Sequence, residues 1–110
     1  MKKKILNMLG LAQKAGRVAS GETAAEYAVR SGEARLLIAA EDASAGSRKR
    51  LLDRAAYRKI PALVWGDKES LGRAVGKNER AGLVITEEGF ARQIAELIRQ
   101  DKNTEETEGV

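Results

Sequence analysis

Apolar side chains recur along the chain at two alternating spacings. Ile5, Met8, Leu9 and Ala12 follow the repeat of one helix face. Gly16 stands where such a helix would stop. "RVAS" (17–20) is long enough only for an edge strand or a connector. Ser20 is a candidate cap for a second helix, Gly21–Arg30, which Gly32 would end. "ARLLIAA" (34–40) is a continuous apolar run, the mark of a strand buried on both faces. After "EDAS", Ser44 or Ser47 can cap a third helix running to about Lys59, with Leu51, Leu52, Ala55 and Ala56 as its inner stripe and Pro61 just past its end. "ALVW" (62–65) is a short strand, 69–75 a brief helix, and "AGLVIT" (81–86) a further strand. Thr86, followed by Glu87 and Glu88, opens a last helix whose core face carries Phe90, Ile94, Leu97 and Ile98.

Helices thus alternate with buried strands, which predicts an α/β domain with helices on both sides of a sheet. The strand at 34–40, its following helix and the strand at 62–65 form a right-handed βαβ unit. Residues 1–100 read as one domain, without internal repeat or linker. The end, "DKNTEETEGV" (101–110), reads as a disordered acidic tail.

Composition narrows the chemistry. The chain has 110 residues, no Cys and no His. Disulfides, thiolate metal sites, the commonest general base and the commonest metal ligand are therefore missing. A catalytic role, a cofactor and a bound metal are not expected. No run approaches the roughly 20 apolar residues that cross a bilayer, and Lys2-Lys3-Lys4 leads into an amphipathic helix, not a signal peptide. A cytoplasmic monomer with neither a membrane partner nor a small-molecule substrate is the expectation. The net charge is +4, and the acidic tail conceals a domain of +7. A small domain this basic often meets polyanions, although solubility alone also calls for charge.

Two surfaces are candidates for that meeting. "LGRAVGKNERAGLVI" (71–85) looks at first like a phosphate-cradling loop. The glycines are one residue too close, Asn78 follows Lys77 where Ser or Thr is needed, and the stretch leaves a helix to enter a strand, the reverse of a P-loop. What remains is a polar loop, with Lys77, Asn78, Glu79, Arg80 and Ala81 between small residues that admit a partner's backbone. Gly76 can equally be a plain helix terminator. The second surface is the start of the helix at 21–30. Its free amides attract anions, Gly21 allows close approach, and Lys14 and Arg17 can flank it. An ordinary capped helix start is the plainer reading. "SRKRLLDRAAYRK" (47–59) adds a basic face, equally consistent with solvation.

"SGETAAEYAVRSGEARLLIAAEDAS" (20–44) and "IPALVWGDKESLGRAVGKNERAGLVI" (60–85) together resemble the signature of the ribosomal protein L-seven-Ae/L-thirty-e superfamily, over roughly residues 5–100. "GLAQKAGRVASGE" and "EEGFA" are most like its small bacterial YlxQ-type members. The resemblance implies a three-layer α/β/α sandwich with a small mixed sheet. It also implies binding of structured RNA, in well-studied relatives kink-turns: sharply bent duplexes with tandem sheared G·A pairs beside an extruded nucleotide. Gly21 and Glu22 stand where the recognition helix opens on the RNA backbone. Thr23, Ala24 and Tyr27 stand where kink-turn binders carry Asn or Lys, Glu or Gln, and Lys. Glu41-Asp42 matches the acidic pair at the strand end, and Lys77 through Ala81 match the second RNA-contacting loop by place. Ala24 has no group that hydrogen-bonds a base, and Tyr27 can stack but not neutralise a phosphate. The expected function is non-catalytic binding of structured RNA, ribosomal RNA included, associated with ribosomes or translation. A protein-interaction adaptor that kept the fold and lost the RNA-reading residues is the alternative. An enzyme using Glu41 and Asp42 at a strand's carboxyl end is the third reading, with helix capping as the plainer role of that pair.

Overall fold

In the computed structural model, residues 1–108 are described, with side chains through Lys102. The elements follow as α1 (Lys2–Lys14), β1 (Val18–Ser20), α2 (Glu22–Arg30), β2 (Leu36–Ala39), α3 (Ala45–Tyr57), β3 (Ala62–Val64), α4 (Lys68–Ala74), β4 (Gly82–Ile85) and α5 (Glu88–Glu108). The strands form one mixed sheet in the order β1-β4-β2-β3. β4 runs antiparallel to both β1 and β2, and β2 is parallel to β3 as the helical crossover of α3 requires.

The alternation of side chains along the central strands builds two cores. Leu36 and Ile38 of β2, with Leu83 and Ile85 of β4, face Ile5 and Leu9 of α1, Leu71 of α4, and Ile94 and Ile98 of α5. Leu37, Ala39 and Val84 face the other way, onto Ala25 and Val29 of α2 and Leu51 and Ala55 of α3. The result is the expected three-layer α/β/α sandwich. The large side chains of β2 and β4 are fully buried, each worth about 1.5–3 kcal/mol of transfer free energy. In α3 the inner stripe is narrower than expected. Leu51 and Ala55 are buried and Leu52 partly so, but Ala56 faces solvent, because 51, 52 and 55 already fill the arc that touches α2 and the sheet.

Two expected caps are taken by their neighbours. Ser20 is the last residue of β1, and Gly21, with φ 96° and ψ 157°, is the N-cap of α2 without a side-chain hydrogen bond. Thr86 donates its backbone N–H to Arg17 O, while the Glu87 carboxylate accepts from the amides of Gly89 and Phe90, both at 2.8 Å. Ser44 caps α3 by accepting from Ser47 N at 3.1 Å, and Asp67 caps α4 by accepting from Ser70 N at 2.7 Å. The Asp67 carboxyl is held below its ordinary value by the Ser70 amide, and the Glu87 carboxyl by the amides of Phe90 and Gly89. Depressed carboxyls contribute stability that is complete above the unfolded value of about 4 and is lost as pH falls through the lower folded value. Stability is therefore expected to drop on acidification below the ordinary carboxylate range. Chemical denaturation across pH should show a shallower acid slope for Asp67→Asn and Glu87→Gln. Identical slopes in parent and variants would remove these caps from the account.

At their carboxyl ends α1, α2, α3 and α4 close with the same pair of backbone bonds, illustrated by Gly76 N to Arg73 O and Lys77 N to Gly72 O. The residue that turns left-handed is glycine in three of them, but in α3 it is Lys59, at φ 59°. A side chain there costs about 1 kcal/mol. Lys59→Gly should raise stability by about that amount in a denaturant titration, and a loss of stability would contradict the assignment.

α5 continues to Glu108, past the boundary expected at residue 100. Asp101 is tied to the fold, since its carboxylate accepts from the indole N–H of buried Trp65 at 3.1 Å. Beyond Lys102 the side chains of the tail expected at 101–110 lie outside the described residues.

Candidate nucleic-acid interface

One end of the sheet gathers the carboxyl ends of β1, β2 and β3 and the amino end of β4. Three backbone bonds tie it together: Gly21 N to Gly82 O, Ala40 N to Ala81 O, and Glu41 N to Gly66 O. The chain therefore starts α2, α3 and α4 at this end, with their amide-rich tips on one surface.

The two surfaces singled out in the sequence meet here. The link is Arg80, whose Cδ and Nε lie 3.7 Å from where a Cβ on Gly21 would sit. Gly72 makes this approach possible. A Cβ at Gly72 would lie 2.0 Å from Asn78 O, so only glycine lets the loop after α4 double back along that helix. The return is fixed by Lys77 N to Gly72 O at one end and Arg80 N to Lys68 O at the other. Gly72 lay in plain view within "LGRAVG", but its role depends on a contact that sequence spacing does not encode.

Between α2 and the free edge of β1 lies an open groove of about 630 Å³, lined by Gly21, Glu22, Thr23, Ala24, Tyr27 and Arg80, with Ala19, Ser20, Ala28 and Glu33 completing its walls. The amides of Glu22, Thr23 and Ala24 open onto the tip of α2, which has no capping side chain. Tyr27 is 61 % exposed, so its ring is open to solvent on the groove wall. The Arg80 guanidinium donates to Glu79 O at 3.0 Å and to Asn78 O at 3.4 Å, while its Nε is buried without a partner, alone in this among the described residues. A buried donor left unpaired is unfavourable.

Glu22 does not oppose an anion as its charge suggests. Its carboxylate turns to α3, accepting from Arg50 Nε at 2.7 Å and Ser47 Oγ at 3.1 Å, and Arg50 holds its carboxyl below the ordinary value. Glu33 at the other end of the groove accepts from Ser31 Oγ.

Other sequence candidates sit elsewhere. Lys77, Asn78 and Glu79 line a second recess with Glu69 and Arg73 beside α4, with Lys77 bonded at the carboxyl end of that helix and the carbonyls of Asn78 and Glu79 bonded to Arg80. Glu79 lies 4.0 Å from Lys68. Ala81 is half-buried against the core, where its carbonyl serves Ala40. Glu41 is exposed, its carbonyl held by Arg48 at 2.9 Å. Asp42 accepts from Lys68 N at 2.8 Å, which joins the turn after β2 to the first turn of α4 and gives Asp42, but not Glu41, a capping role.

Lys14 and Arg17 do not flank the tip of α2. The turn at Gly16 delivers Arg17 to the amino end of β1, and the strand then carries the chain to Gly21 at the opposite end of the sheet. At the amino end of β1 the Arg17 carbonyl accepts from Thr86 N, and the Arg17 charge acts on Glu87. Lys14 lines a cleft between α1 and α4.

Comparison with known proteins gives a consistent set of relatives. Residues 3–95 match the model of the family described as ribosomal protein L7Ae/L30e/S12e/Gadd45. A Bacillus subtilis (strain 168) protein named RNA-binding protein YlxQ is 35 % identical over 91 residues, covering 83 % of this chain and 91 % of that one. The Enterococcus faecium protein of the same name is 29 % identical over 97 residues, covering 88 % and 93 %. Among solved structures, a protein of unknown function from Bacillus halodurans C superposes with a TM-score of 0.83 at 40 % identity, over 87 % of this chain and 97 % of that one. The Giardia lamblia 15.5kD RNA binding protein has the same fold, with a TM-score of 0.76 at 22 % identity over 90 % and 85 %.

Proposed function

Because the chain belongs to the ribosomal protein L7Ae/L30e/S12e/Gadd45 family, we propose that it binds structured RNA without catalysis, in the groove between the tip of α2 and Arg80. The observation that carries this reading is the seating of Arg80 against Gly21, beside the open amides of residues 22–24. That arrangement offers one guanidinium and a helix amino terminus to a single stretch of phosphate backbone.

The groove reads shape more than sequence. Of the side chains in its first two turns, Ala24 offers no hydrogen bond, Thr23 one hydroxyl, and Tyr27 a ring on which an extruded base can stack. Kink-turns, which present a bent backbone and an extruded nucleotide together, suit this surface, and guanine edges are read weakly. The names of the relatives support an RNA partner, and the family description supports a ribosomal or translation-associated one. Crosslinking in cells followed by sequencing of the bound RNA tests that association.

The binding test is a salt titration with a kink-turn RNA. Arg80→Ala should weaken binding and lower the slope of log K against log salt by about one, the loss of one neutralised phosphate. Lys77→Ala, in the second recess, should lower it by no more than that. Parent-like slopes for both would show the loop to be misassigned. Binding of a protein partner, unaffected by salt, in place of RNA would favour the adaptor reading.

A further inference from the structure

The helices α2 and α3 run side by side, joined by a ladder of ion pairs with a four-residue repeat. Glu22 pairs with Arg50 at 2.7 Å, and Glu26 with Arg54 at 4.0 Å. Four residues further on, the same register falls on Arg30, the last residue of α2, and Arg58, the C-cap of α3. The third rung is therefore two cations where the first two are ion pairs. Among the described residues neither guanidinium has an ion-pair or hydrogen-bond partner, and both are exposed. Lys59 follows directly, held in a left-handed conformation that glycine occupies at the ends of α1, α2 and α4. Tyr57, beside them, is 84 % exposed, the most exposed of the large apolar side chains.

We propose that this third rung, Arg30 and Arg58 with Lys59 and Tyr57, is a second contact for the same RNA, gripping the backbone of a helix that leaves the groove. This rests on the groove as the primary site. The two surfaces share one residue, since Glu22 lines the groove and also makes the first rung. From the first rung to the third is eight residues of helix, about 12 Å. A duplex carries several phosphates over that length. Like charges placed together without an acid between them are the arrangement that a polyanion stabilises. An exposed ring next to them offers a stacking face for a base at a strand end or bulge. The plainer role, cations at two helix carboxyl ends, predicts effects on stability alone.

Two RNAs separate these outcomes: a kink-turn with long flanking helices, and the same kink-turn cut back to the bend. Arg30→Gln and Arg58→Gln should each weaken binding to the long RNA several-fold and lower its salt slope by about 0.7–0.9, with the short RNA bound as by the parent. Arg30→Glu completes the ladder with a third ion pair. It should melt at or above the parent's temperature yet bind the long RNA roughly tenfold more weakly. Parent-like binding of the long RNA by Arg58→Gln and Arg30→Glu would overturn the second contact, leaving the rung as a pair of helix-end cations. Failure of the groove itself is read separately, from Arg80→Ala on the short RNA. A parent protein that binds neither RNA refutes both.

Discussion

Gly72→Ala is expected to lower the unfolding free energy by about 2–3 kcal/mol and to cut RNA affinity by more than the Arg80→Ala change does. The added methyl would sit 2.0 Å from Asn78 O and 2.6 Å from Asn78 C, and both are backbone atoms that cannot move alone. Either α4 or the whole loop after it must shift. The loop carries Arg80, so a shift there takes the guanidinium off Gly21 and opens the floor of the groove. Helix propensity works in the opposite direction, favouring Ala over Gly by about 1 kcal/mol, and a clash of this size outweighs it. Denaturant midpoints and a binding titration, run at a temperature where the variant is folded, check both halves. A variant as stable as the parent would mean that the loop relaxes freely and does not hold Arg80 in place.

Gly21→Ala has the next largest expected effect, about 2–3 kcal/mol, for a different reason. Space is adequate here, with the nearest atoms to a new Cβ at 3.7 Å. The backbone is the obstacle, because φ 96° and ψ 157° is a region that side chains rarely enter. The residue cannot relax cheaply, since its N–H is bonded to Gly82 O and its carbonyl accepts from Ala25 N. Relief of the torsion breaks either the tie between β1 and β4 or the first turn of α2. RNA affinity should fall with stability. If Gly21→Ala melts like the parent, the conformation at this position is not the constraint described here. Gly16→Ala is a useful comparison, with the same handedness of φ and an open surround but no part in the groove, so it should reduce stability and leave binding intact.

These two glycines also show how much of the protein was legible in its sequence. The helical repeat and the continuous apolar runs place all five helices and the strands β2, β3 and β4, because burial on one face or both is written in residue type, whereas 17–20 read equally as edge strand or connector. Gly21 and Arg80 were both candidates, and their meeting follows from the pairing of β1 with β4, which brings Gly82 beside Gly21. Lys14 and Arg17 were misplaced for the same reason in reverse. Nearness in sequence suggested that they flank α2, but a three-residue strand moves the chain to the other end of the sheet. Caps were legible as a type and not as a position: Ser20 and Thr86 have the right chemistry, but a left-handed Gly21 and the longer reach of Glu87 take the roles. The ladder between α2 and α3 was invisible beforehand, since the relative register of two packed helices is set by their side chains in three dimensions.

The central claim is that RNA enters between the tip of α2 and Arg80, and backbone and arginine NMR signals test it directly. On titration with a kink-turn RNA cut back to the bend, the amides of Glu22, Thr23 and Ala24 and the Nε–H of Arg80 should show the largest shifts, with Lys14 and Arg17 unmoved. Shifts centred on Lys14, Arg17 and the start of α5, with residues 22–24 and Arg80 silent, would contradict the account.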